Sequence, residues 1–128
     1  MKSANELSIL LADDDQHLRN TLEEVLRRRG FHVWSAATGS EALDIARREP
    51  VDVGVFDLNM PDFTGMELLN RINSNRRISL PAILITSEVT EDVHRISIQI
   101  GVYRVVPKPL QIDPFTQALE ELIGRFFA

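Results

Sequence analysis

Five short apolar runs alternate along the chain with stretches of helical periodicity. The runs occupy residues 7–12, 31–34, 51–56, 82–85 and 105–106. Each is apolar nearly throughout, the pattern of strands covered on both faces. Between the runs, Leu18, Leu22, Val25 and Leu26 repeat at helical spacing. Leu68, Leu69 and Ile72 do the same, as do Val89, Val93, Ile96 and Ile100. The last stretch places Phe115, Ala118, Leu119, Leu122, Ile123 and Phe126 on one face. Thr38-Gly39-Ser40-Glu41 and Thr64-Gly65-Met66-Glu67 read as capping boxes that open helices. Asp113 before Pro114 reads as an N-cap with proline at the first helical position. Gly30 and Gly101 fall where helices should stop. The spacing predicts the order βαβαβαβαβα, hence an α/β, doubly wound parallel sheet between two helix layers.

In open parallel sheets the ligand crevice lies beyond the carboxyl ends of the strands. Asp13, Asp14 and Asp15 follow the first run, and Asp57, Leu58, Asn59, Met60 and Pro61 follow the third. Thr86, Ser87 and Glu88 follow the fourth, and Lys108-Pro109 follows the fifth. If the third strand lies beside the first, Asp13, Asp14 and Asp57 converge. Two like charges at about 4 Å repel by about 4 kcal/mol at an effective dielectric near 20. Such a cluster needs a proton or a cation. With no His or Cys among the ligands, a hard ion is expected, and Mg²⁺ fits best because it takes few carboxylates and keeps water and phosphate oxygens. Lys108 adds a compact second positive charge. The arrangement points to phosphoryl transfer onto Asp57 as an in-line nucleophile, with Thr86 placed to hydrogen-bond the new phosphoryl oxygen.

Composition narrows the class. The chain has 128 residues, suited to one domain with a core extending over about 7–126, and no second, output domain is expected within it. It has no cysteine, which excludes disulfide scaffolds and thiolate chemistry. Fourteen basic and 19 acidic residues leave a net charge of −5, which argues against direct nucleic-acid binding. No signal-peptide pattern or membrane-length apolar run occurs, so a soluble, cytoplasmic protein is expected. Arg27-Arg28-Arg29, Arg47-Arg48 and Arg76-Arg77 lie near predicted helix ends, where cations complement the dipole, with a phosphate-binding patch as the sharper alternative. His17, His32 and His94 have no metal-site spacing.

The segments ILLADDD, VFDLNMPDFTG, PAILITSE and VVPKPL, in this order, resemble the receiver domains of two-component response regulators over nearly the whole chain. The resemblance, to chemotaxis-regulator-like members in particular, implies a flavodoxin-like sheet of order 2-1-3-4-5 with five helices. It implies Asp57 as phosphoacceptor, Asp14 as direct Mg²⁺ ligand and Asp13 mainly through water. The backbone carbonyl of Asn59 would be a further ligand. Thr86 would be the switch hydroxyl, and Lys108 would pair with the phosphoryl group across a cis bond to Pro109. The side chains of Asn59 and Glu88 would tune the lifetime of the phosphorylated state. Implied partners are a sensor histidine kinase or histidine phosphotransfer protein and a downstream protein or effector domain, with a homodimer left open. The protein would be a switch that assists its own phosphorylation and dephosphorylation, not an enzyme acting on others.

One departure bears on output. The family usually carries an aromatic ring three residues before the lysine, and here Val105 stands there. Tyr103 is two residues earlier, and strand alternation would give it the same face as Val105. Pro107 is tolerable if the fifth strand is an edge. The fourth helix, fifth strand and fifth helix would form the output face, with Ile98 as a contact. Phe126 and Phe127 fit core packing, a dimer contact or a cut in a longer chain. Two other readings stand beside the switch. One is a Mg²⁺-dependent phosphatase with an aspartate nucleophile, which Asn59 disfavours because an acid/base is needed there. The other is a phosphorylation-independent adaptor on the same fold.

Overall fold

The computed structural model describes residues 6–127. Its elements are β1 (Ser8–Ala12), α1 (Gln16–Arg28), β2 (His32–Ala36), α2 (Gly39–Arg48), β3 (Val53–Asp57), α3 (Gly65–Asn73), β4 (Ala82–Thr86), α4 (Glu91–Gln99), β5 (Arg104–Pro107) and α5 (Ile112–Phe127). The strands form one parallel sheet in the order β2-β1-β3-β4-β5. β1, β3 and β4 are buried at every position, as their apolar runs predict. β2 and β5 are edge strands and only partly covered, so the expectation of burial on both faces holds for the three inner strands alone. Pro107 sits on the edge strand, where a missing N–H leaves no ladder partner unpaired.

Side-chain alternation sends successive residues into two cores. On one side, Ile9, Leu11, Val53, Val55, Ile83 and Ile85 meet Leu22 and Leu26 of α1 and Phe115, Leu119 and Leu122 of α5. On the other, Leu10, Phe56 and Leu84 meet Leu43 of α2 and Leu68, Leu69 and Ile72 of α3. Trp34 packs against this second core. Each fully buried Leu, Ile or Phe contributes roughly 1.5–3 kcal/mol, so these layers anchor the sheet.

Helix ends follow the sequence with two differences. Asp15, Thr38 and Thr64 are N-caps, each accepting from a backbone N–H within the first turn. At Thr64 the capping box is complete. At Thr38 it is half-made, because the Glu41 carboxylate accepts from the amide of Ala37, at 3.4 Å, instead. α5 begins at Ile112, so Asp113 and Pro114 lie inside its first turn rather than at its boundary. First-turn amides have no intrahelical acceptor, so proline is tolerated there. Gly30 and Gly101 have positive φ (97° and 83°) just after helices, where a left-handed residue ends the turn.

α4 departs most from expectation. Its one buried residue is Ser97, whose hydroxyl donates to the Val93 carbonyl at 2.6 Å. Val93 and Ile100 are partly buried, but Ile96 is exposed, and Val89 lies outside the helix and is also exposed. The packed face of α4 therefore centres on Val93, Ser97 and Ile100, not on the stripe through Val89 and Ile96. A helix with so little buried apolar surface is weakly held to the sheet. Tyr103 also corrects the sequence reading. It precedes β5, so strand alternation does not apply to it. It packs into the α1/α5 core with its ring 5.9 Å from that of Phe126, whereas Val105 faces the opposite core. Phe127 packs on the α1/α5 core, and Phe126 is half-exposed.

Candidate functional site

The carboxyl ends of β1, β3, β4 and β5 deliver the chemistry. β1 ends at Ala12, and the next residue, Asp13, is fully buried. The Asp13 amide donates to the Ala36 carbonyl at 3.1 Å, its carbonyl accepts from Arg19 Nη1 at 2.6 Å, and Oδ1 accepts from the Asp15 amide at 2.9 Å. Asp14 is exposed at the mouth. Asp57 is the last residue of β3 and only 4% exposed. Its Oδ1 accepts from the Asn59 amide at 3.2 Å.

Lys108 reaches both acids. Its Nζ is 3.1 Å from Asp57 Oδ2 and 3.5 Å from Asp13 Oδ2. The second contact is an ion pair without hydrogen-bond geometry, so Asp13 Oδ2 is buried without a hydrogen-bond partner. Burial pushes the Asp57 carboxyl above its ordinary value, the Asp13 charge adds to this, and Lys108 offsets only part of it. Burial alone would lower the Lys108 ammonium, but the hydrogen bond it donates to Asp57 and the charges of Asp13 and Asp57 hold it above the ordinary lysine value.

Thr86 ends β4, fully buried, one position beyond the Asp57↔Ile85 pair. Its Oγ1 accepts from the Glu88 amide at 2.9 Å, and its carbonyl accepts from the Lys108 amide at 2.9 Å. The hydroxyl proton faces no acceptor among the described residues. Asn59 and Glu88 are exposed at the rim, with Asn59 Nδ2 3.5 Å from Glu88 Oε1. The Lys108–Pro109 bond is cis. Val105 pairs in register with Leu84 and packs toward α4.

The acids fit a hard divalent ion. Carboxylate oxygens of Asp13, Asp14 and Asp57 lie within 4.8 Å of one another. The orphaned Asp13 Oδ2 is a buried acceptor that a cation or its water would satisfy. An all-oxygen donor set with one exposed member suits an ion that keeps part of its hydration.

Two residues were missed in the sequence. Gly65, which opens α3, lies against the backbone of Asp57. A Cβ there would stand 2.5 Å from the Asp57 carbonyl oxygen and 2.8 Å from Leu84 Cδ2. Asp62 accepts from the amides of Gly39 and Ser40, both at 2.8 Å, and so ties the loop after β3 to the start of α2. The Ser40 amide bond, with those of Gly39 and Phe63, lowers the Asp62 carboxyl to about 2. Both residues stand within the VFDLNMPDFTG segment, where a steric role for Gly65 could have been suspected. Nothing local shows that Asp62 reaches across to the start of α2.

The sequence model of the response regulator receiver domain matches residues 9–120. The chain is 32% identical over 124 residues to the transcriptional regulatory protein GltR of Pseudomonas aeruginosa, covering 96% of this chain and 51% of that protein. Thus it spans about half the length of that relative. It is 31% identical over 118 residues to sporulation initiation phosphotransferase F of Bacillus subtilis, covering 90% of this chain and 92% of that one. The non-phosphorylated HemR receiver domain from Leptospira biflexa superposes with a TM-score of 0.85 at 32% identity, covering 91% of this chain and 94% of that one.

Proposed function

Because the chain belongs to the response regulator receiver domain family of two-component systems, we propose that it is a switch thrown by phosphorylation of Asp57. The observation that carries this reading is the convergence of Asp13, Asp14, Asp57 and Lys108 in one crevice at the strand ends.

Asp57 attacks the phosphorus of a phosphohistidine on a partner kinase or phosphotransfer protein, and the bond from phosphorus to the imidazole nitrogen breaks in line. Asp57 is held for this by the Asn59 amide on Oδ1, which leaves Oδ2 toward Lys108. Lys108 then follows the developing negative charge on the phosphoryl oxygens. A Mg²⁺ ion held by Asp14, Asp57 and the Asn59 carbonyl, with Asp13 through water, would supply the remaining charge neutralisation. Thr86, with its hydroxyl proton uncommitted, donates to the phosphoryl group and draws the loop after β4 with it.

That movement reaches α4, the helix least anchored to the core. The face of α4, β5 and α5 carries Ile98 and Phe126 exposed at 64% and 50%, with Val89 of the preceding loop beside it at 55%, which supports it as the surface that a downstream protein or effector domain reads. Val105 fills the position of the usual switch ring, so the displacement is carried by the β4–α4 loop and α4 rather than by an aromatic rotation. Asn59 offers no acid/base, which speaks against a phosphatase with sustained turnover.

Intact mass after incubation with acetyl phosphate and Mg²⁺ tests the proposal. The expected result is a gain of one phosphoryl group, absent in Asp57→Asn and without Mg²⁺. An undiminished gain in Asp57→Asn would refute it.

A further inference from the structure

The arginine clusters of the sequence divide into two sets in the fold. Arg27, Arg28 and Arg29 face Glu23, Glu24 and Glu120 at 3.5, 2.6 and 2.5 Å. Arg47, Arg48, Arg71, Arg76 and Arg77 make no ion pair among the described residues. Three of these unpaired arginines meet in one place. Arg47 from α2, Arg71 from α3 and Arg76 from the loop after α3 line a groove of about 190 Å³ between the two helices. Its apolar wall is Leu43, Ala46 and Ile72, and no acidic residue lines it.

Two of the guanidiniums are fixed by neutral groups. The Arg71 guanidinium sits over the Phe63 ring, 4.2 Å from its centroid, and none of its N–H groups is hydrogen-bonded among the described residues. Arg76 donates from Nε to the Ile78 carbonyl at 3.1 Å and from Nη1 to the Val51 carbonyl at 3.4 Å, leaving Nη2 free. The helix dipole accounts for Arg47 and Arg71, which lie in the last turns of α2 and α3. It does not account for Arg76, which lies beyond α3 and is folded back by backbone carbonyls. Like charges gathered in one concavity repel until an anion enters.

We propose that the groove between α2 and α3 binds a compact diphosphate anion through Arg47, Arg71 and Arg76. Guanidinium forks match phosphate oxygens in pairs. Three unit charges converging on one small groove suit a compact anion with several negative charges, such as two linked phosphates, better than separate carboxylates. The helices run back against the strands, so their C-terminal ends, and this groove, lie at the end of the sheet away from Asp57. None of the three arginines belongs to the phosphorylation crevice, although Arg71 stands over Phe63 of the loop that follows Asp57.

Titration calorimetry on the whole chain with pyrophosphate, and separately with ADP, in metal-free buffer at physiological ionic strength tests this. One saturable site is expected. Arg47→Gln and Arg71→Gln should each weaken it by about tenfold, as for loss of a charge-assisted hydrogen bond, and Asp57→Asn should leave it unchanged. Both arginines are exposed, so circular dichroism of the variants should match wild type. Equal binding of both probes identifies any accessible diphosphate as the ligand, and pyrophosphate alone identifies the inorganic ion. No saturable binding of either, or binding undiminished in both arginine variants, overturns the proposal.

Discussion

The Lys108 ammonium stands 3.1 Å from Asp57 Oδ2 and holds that carboxylate oxygen as an ion pair. On the proposed mechanism the same ammonium later faces the phosphoryl oxygens, so the contact bears on reactivity. Lys108→Met should slow acetyl-phosphate labelling of Asp57 by roughly 10²-fold, the usual effect of removing one preorganised donor. Time-resolved intact mass measures it, and an unchanged rate would remove Lys108 from the chemistry.

Burial raises the Asp57 carboxyl, so the native state holds that proton more tightly than the unfolded chain does. For such a group, stability is lost as pH rises through the window from its ordinary 3.8 up to the raised native value. Above that window the loss is complete. Asp57→Asn has no such loss and should melt higher than wild type at neutral pH without metal, with the gap closing toward pH 3.8. Mg²⁺ should stabilise wild type by about 2.7 kcal/mol at 100 times its Kd, and Asp57→Asn by less. A variant that melts at or below wild type in metal-free buffer at pH 7 would contradict this.

Gly65→Ala drives a methyl group into the Asp57 carbonyl, a backbone atom that cannot rotate away. The expected cost is about 1–3 kcal/mol in urea unfolding, the range for overpacking. Labelling of Asp57 should slow as well. Unaltered stability would mean that the loop relaxes freely.

Asp62 behaves in the opposite sense to Asp57. Its carboxyl is lowered to about 2 by the amides of Ser40, Gly39 and Phe63. A lowered carboxyl contributes stability above its ordinary 3.8, and that contribution disappears as pH falls to about 2. Asp62→Ala should therefore melt below wild type at pH 7, with the difference shrinking across that window. Thermal scans at several pH values decide it, and a pH-independent difference would point to lost packing instead.

The order of elements was legible because β1, β3 and β4 are buried on both faces and their runs are continuous. The acids were legible because Asp13 and Asp57 directly follow or end those runs, and burial of the runs fixes where they stop. The face of α4 was not legible. Its buried position is a serine satisfied within its own helix, and its exposed Ile96 mimics a core residue. Tyr103 failed for a related reason, since alternation holds only inside the strand. The Asp62 cap spans 22 and 23 positions to its partners. No local pattern encodes it, although it joins the loop after Asp57 to a second helix.

A crystal structure with Mg²⁺ and beryllofluoride examines the central claim most directly. The expected outcome is the beryllium group on the Asp57 carboxylate, one ion contacted by Asp14 and Asp57, and Lys108 Nζ turned to a fluoride, with the Thr86 hydroxyl drawn to another. Beryllofluoride absent from Asp57 at saturating concentration, or bound there with Lys108 directed to solvent, would contradict it.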